Sequence, residues 1–150
     1  LALGIYSKPH PDFKLSDDGS WDEPLVIPFD GRYGGAIDTD LYIRNDDLSL
    51  WYDGIMVVPV DLSNGYYVNG STGFGWKLIE STQLPVPQAW ESVSFGNTLS
   101  ISYDIGTSSL GDIITYLPFW ARIYVPRNEP IKTIKVVTLR ISATEHLVTS

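Results

Sequence analysis

The chain has 150 residues, 43% hydrophobic and 19% charged, a balance that suits one folded domain with a continuous core and not a disordered polymer. Its net charge is −8, and the excess is confined to one part: residues 1–62 carry four bases against twelve acids, whereas residues 63–150 carry six of each. An acidic surface repels phosphate backbones and anionic bilayers, which argues against nucleic acid and membrane as partners, and the lack of cysteine excludes disulfides and thiolate metal sites.

No stretch approaches the roughly 18 apolar residues that span a bilayer. Leu1 to Tyr6 lack a basic n-region and are too short for a signal peptide; beginning with Leu rather than Met, the chain reads as processed or partial. Five Trp and nine Tyr favour strands and contact surfaces over helices.

Residues 1–35 read as an irregular, extended N-terminal arm. Pro9, Pro11, Pro24 and Pro28 forbid a regular helix, and Asp17-Asp18-Gly19 and Asp30-Gly31 are turn signals. The arm nevertheless holds Phe13, Trp21, Ile27 and Phe29, large apolar groups that should not stay in water. It packs on something, either its own domain or a neighbouring subunit.

From residue 36 to 150 the pattern is one of strands and turns. Ala36 to Arg44 is the first strand and ends at Asn45-Asp46-Asp47. Leu48 to Val60 is the second, with Gly54 marking a bulge and Pro59 an edge or a strand end. Asp61 to Gly75 is a loop dense in Gly and Asn, and Phe74 to Glu80 a short strand. Pro85 to Ser92 is the one expected helical turn, with Pro87 at its first position. Thr98 to Ile105 alternates, placing Leu99, Ile101, Tyr103 and Ile105 on one face. Phe119 to Val125 alternates likewise, and Ile131 to Ser142 places Val137, Leu139 and Ile141 together. Six or seven strands with turn-rich connections predict an all-β, antiparallel two-sheet sandwich, immunoglobulin-like or jelly-roll-like; a closed barrel is the alternative.

Chemistry-bearing motifs are few. The two histidines, His10 and His146, lack partners at metal-ligand spacing, and no phosphate loop, dinucleotide fingerprint or nucleophile elbow is present, so no cofactor, metal or catalytic residue is assigned. Asp38 and Asp40 share a strand face, a pairing that suits a solvated surface far better than glycoside hydrolysis. With Asp46 and Asp47 they outline an improvised calcium site at most. The most distinctive stretch is the loop Asn64 to Trp76, where glycines permit close approach and Tyr66, Tyr67, Phe74 and Trp76 supply rigid contact area. The alternative is a hairpin loop whose aromatics fold back onto the core. Asn69-Gly70-Ser71 also matches the glycosylation acceptor pattern.

Three segments, Leu41-Tyr42-Ile43-Arg44-Asn45-Asp46-Asp47, Gly75-Trp76-Lys77-Leu78 and Leu117 to Pro126, resemble small β-sandwich structural proteins of tailed bacteriophage virions. In such proteins an asparagine closes the first strand, and a late strand reads Pro-Phe-Trp-x-Arg before a Pro-bounded turn. The resemblance spans residues 28–148 and implies a non-enzymatic capsid, tail or baseplate component, located in the virion. Its partners would be other virion proteins or copies of itself. On that expectation the contact surfaces are the arm (Phe13, Trp21, Ile27, Phe29) and the loop (Tyr66, Tyr67, Phe74, Trp76), and deleting residues 1–30 impairs assembly while leaving the sandwich folded. A carbohydrate-binding module, with a glycan held on the loop aromatics, is the second expectation.

Overall fold

A computed structural model describes residues 1–8, 14–16, 34–61, 63–106, 116–127 and 137–148. Its elements are β1 (Leu3–Tyr6), β2 (Lys14–Ser16), β3 (Gly35–Asn45), β4 (Leu50–Asp61), β5 (Gly75–Ile79), α1 (Pro87–Glu91), β6 (Leu99–Ser100), β7 (Tyr116–Val125) and β8 (Val137–Leu147). They form two antiparallel sheets, one in the order β2-β1-β3-β7-β5 and one in the order β6-β4-β8. The fold is an all-β two-sheet sandwich.

Strand period two explains which residues meet. On β7 the odd positions Leu117, Phe119, Ala121, Ile123 and Val125 are buried and the even ones are not. Their cross-strand partners include Ile43 and Leu41 on β3 and Leu78 and Trp76 on β5. From the other sheet Tyr52, Ile55 and Val57 of β4 and Leu139 and Ile141 of β8 close the same core. Interdigitation of two such inner faces is the main stabilising term in a sandwich.

The described part of the predicted arm packs on its own domain, one of the two expected alternatives, but as regular strands and not as an irregular arm. Residues 3–6 are a strand paired with β3, and residues 14–16 a strand paired with it in turn. Leu3, Ile5 and Tyr6 are buried, so this stretch belongs to the sheet. The proline signals that suggest an irregular arm all lie after Tyr6, and the short apolar run Leu3-Gly4-Ile5-Tyr6 is itself a strand pattern. Deleting it would remove a core strand, contrary to the expectation of an intact sandwich. Phe13, Trp21, Ile27 and Phe29 lie outside the described residues.

The predicted strand from Thr98 to Ile105 is also corrected. Only Leu99–Ser100 is a strand, and Tyr103 is exposed while Ile101 and Ile105 are buried. Gly54 has φ +59 and β4 shifts register between Asp53 and Met56. Opposite that bulge, Ser100 pairs with Met56 but Ile105 bridges Tyr52, so four intervening residues face three. The extra residue breaks the alternation and turns Tyr103 outward.

Pro59 is tolerated for a related reason. Ile55 gives its carbonyl to Ile101 on the β6 side, and by period two Pro59 directs its nitrogen to the same side. The β6 ladder reaches only Met56 and Val57, so no hydrogen bond of that ladder needs the missing N–H. Strand β8 runs to Leu147, past the expected end at Ser142, because Leu50 to Asp53 of β4 pair with Thr144 to Leu147. Helix α1 begins at Pro87, as the proline position predicts.

Candidate functional site

The loop after β4 is organised by one carboxylate. Asp61 Oδ1 accepts the backbone N–H groups of Ser63 and Gly65, each at 2.8 Å, and Oδ2 accepts that of Tyr67 at 2.8 Å. Asn64 and Gly65 take positive φ to bring those N–H groups round. Further on, Asn69 Oδ1 accepts from the Ser71 N–H at 3.0 Å and from its hydroxyl at 2.7 Å. The Gly70 N–H is held by the Phe74 carbonyl.

This scaffold turns most of the loop aromatics inward. Phe74 and Trp76 are core residues, and Tyr67 packs against the core with its ring 4.9 Å from Phe74. Only Tyr66 is exposed, its ring edge-on to Tyr67 at 4.8 Å. Phe74 and Trp76 therefore present no surface for a partner, and a glycan platform of Tyr66, Tyr67 and Trp76 is not assembled. The physical reason is periodicity: Trp76 and Leu78 are the inward residues of β5, opposite Ile123 and Ala121.

The outer face of the five-stranded sheet is closed over β5 and β7. Arg122 donates through Nε to Asp38 Oδ1 at 2.6 Å and through a terminal nitrogen to Oδ2 at 2.8 Å, the two residues being direct cross-strand partners. These hydrogen bonds raise the Arg122 pKa above its ordinary value. Its guanidinium lies 5.1 Å from the centre of the ring of Trp90, the buried residue of α1. Beside it Lys77, 8% exposed, donates to the Trp90 carbonyl at 3.0 Å and lies 4.6 Å from the Phe95 ring. The cations here are occupied in holding α1 and its following loop onto the sheet.

The acids singled out by sequence do not converge. Asp38 holds Arg122, Asp40 accepts the Tyr42 hydroxyl at 3.0 Å, and Asp46 accepts the Tyr6 hydroxyl and pairs with Lys14 and Arg44. Asp47 accepts the Ser49 hydroxyl at 2.6 Å, which lowers its pKa. Among the described residues no three His, Cys, Asp or Glu side chains gather to hold a metal. His146 stacks on Trp51 at 4.0 Å and contacts Asp53 at 2.9 Å; His10 lies outside the described residues.

A surface that sequence patterns did not indicate lies where three segments meet. The Asp46 N–H bonds the Ala2 carbonyl, and the Val148 N–H bonds the Ser49 carbonyl, both at 2.8 Å. Beneath them the Tyr52 hydroxyl accepts the Ala2 N–H at 2.8 Å and donates to Glu145 at 2.7 Å. The lacing holds together, at one end of the sandwich, the segments that carry four exposed aliphatic residues: Leu1, Leu48 at 59%, Leu147 at 73% and Val148. Asp46 and Asp47 stand at its rim. These residues lie in three segments far apart in sequence; the one available signal is Leu48, an apolar residue in an otherwise polar turn. No protein family, curated protein or solved structure matches the chain.

Proposed function

We propose that this chain is a non-enzymatic structural protein that works by contacting neighbouring protein chains in a larger assembly, in its specific form a component of a tailed-phage virion. The observation that carries the contact role is the aliphatic end surface. Leu1, Leu48, Leu147 and Val148 come from three separate segments, yet backbone bonds and the buried Tyr52 hydroxyl hold those segments together. A preorganised apolar surface of this kind costs little ordering entropy when a partner covers it. The exposed Asp47 at its rim favours a neighbour carrying a base there. The virion assignment rests on the resemblance of Leu41 to Asp47, Gly75 to Leu78 and Leu117 to Pro126.

Native mass spectrometry of the protein as isolated from its source tests the reading. The expected result is a particle holding the chain in fixed, symmetric multiples. Leu48→Asp combined with Leu147→Asp should empty those positions while leaving the melting temperature within a few degrees, since both side chains are exposed. A lone monomer from the source, or full occupancy by the double variant, would overturn the proposal.

A further inference from the structure

At the mouth between the two sheets, the inner-face period of β5 ends on a carboxylate. Trp76 and Leu78 point into the core, and Glu80, next in that period, comes where a third apolar residue would extend it. Its carboxylate reaches across to the segment beside β4. Oε2 accepts the Ser102 N–H at 3.0 Å and the Ser102 hydroxyl at 2.8 Å, while Oε1 is 3.3 Å from the same N–H. The inward residue Leu117 of β7 forms the floor, next to Pro118. The result is an open groove of about 540 Å³, lined also by Ser81, Thr82 and Tyr103.

Four properties of this groove point to one ligand chemistry. Its volume falls in the range of about 300–1,000 Å³ that suits small organic ligands. Among the described residues no Lys, Arg or His lines it, so none of them offsets the repulsion between Glu80 and a phosphate or carboxylate ligand. An ionised carboxylate offers about four acceptor positions, and Ser102 occupies fewer than that, leaving capacity for ligand hydroxyl donors. Tyr103 then adds an aromatic surface, 60% exposed because the irregularity opposite β4 turns it out of the core. An acceptor beside hydroxyls and an open aromatic face matches a molecule with a hydroxyl edge and an apolar C–H face.

We propose that this groove binds a neutral saccharide, with Tyr103 under the sugar ring and Glu80 accepting from its hydroxyls. The site is distinct from the Asn64–Trp76 loop and from the aliphatic end surface.

The test is calorimetric titration of the full chain with neutral malto-, cello- and chito-oligosaccharides, alongside small alkylamines. Saturable binding to at least one oligosaccharide series is expected. Tyr103→Ala should weaken it by about tenfold or more through lost stacking, with an unchanged melting temperature. Glu80→Gln, which keeps an acceptor for Ser102, should weaken it comparably. No response to any neutral oligosaccharide, binding confined to the amines, or oligosaccharide binding indifferent to Tyr103→Ala would each overturn the assignment.

Discussion

Among the described residues Tyr6 and Tyr52 are the two phenols most firmly held in the protonated form. Burial is the larger cause in both, joined by hydrogen bonds to Asp46 and Glu145, and the pKa values rise to about 12. In the unfolded chain a tyrosine ionises near pH ~10. Above that pH the unfolded state binds fewer protons than the folded state, so stability falls as pH rises. The contribution of these phenols is complete below about pH 10 and is lost through about pH 12. Thermal melts across that window should show a steep decline, shallower in Tyr52→Phe, and phenolate absorbance should show a late-titrating class in the folded protein only.

Asp38 offers a second test at this scale. Removing it leaves Arg122 partly buried against Trp90 without its bidentate partner. Asp38→Ala should cost about 1.5–3 kcal/mol in urea unfolding, the range for hydrogen bonds to charged groups. In sequence Asp38 reads as one of two solvated acids, because its partner lies 84 positions away. The strand identity was legible; the strand pairing that supplies Arg122 was not, since no local pattern encodes which strands become neighbours.

Among the elements, those with regular alternation on a buried face were the readable ones. β3 and β7 follow their apolar positions closely, and α1 follows its proline. The 99–105 segment has an equally clean pattern and yet is mostly irregular, because its outcome depends on the bulge at Gly54 in a different strand. For the loop aromatics the sequence leaves two readings open, a contact surface or a fold back onto the core; Phe74 and Trp76 follow the second, Trp76 through the register of β5 on β7. Close approach of Phe95 to Gly70 and Gly75 seals this region, with the ring filling the space a side chain at Gly75 would take. Gly75→Ala should therefore destabilise by about 1–3 kcal/mol, the usual cost of overpacking. In a Phe95→Ala background most of that cost should vanish, and a double-mutant cycle in denaturant measures the coupling.

For the molecule as a whole, β1 decides how the N-terminal region is understood. It lies between β2 and β3 and contributes Leu3 and Ile5 to the shared core. Ile5→Ala should cost about 2–5 kcal/mol, as for other buried aliphatic truncations. Deleting residues 1–8 should abolish cooperative thermal unfolding. A deletion that melts like the intact chain would show that β1 is dispensable. The two-sheet architecture was legible from the number and period of the strands. The aliphatic end surface was not, because it exists only once residues 1–2, 46–49 and 147–148 are brought together.

The same lacing has a mechanical consequence. Ala2 and Val148 are bonded to residues 46 and 49 of a single turn, so no more than about 11 Å of chain separates the two attachment points. A tether joining residues 2 and 148 need only be short, and tension applied between those two residues would load these few bonds first, peeling the fold open from one corner while the rest of both sheets stays slack.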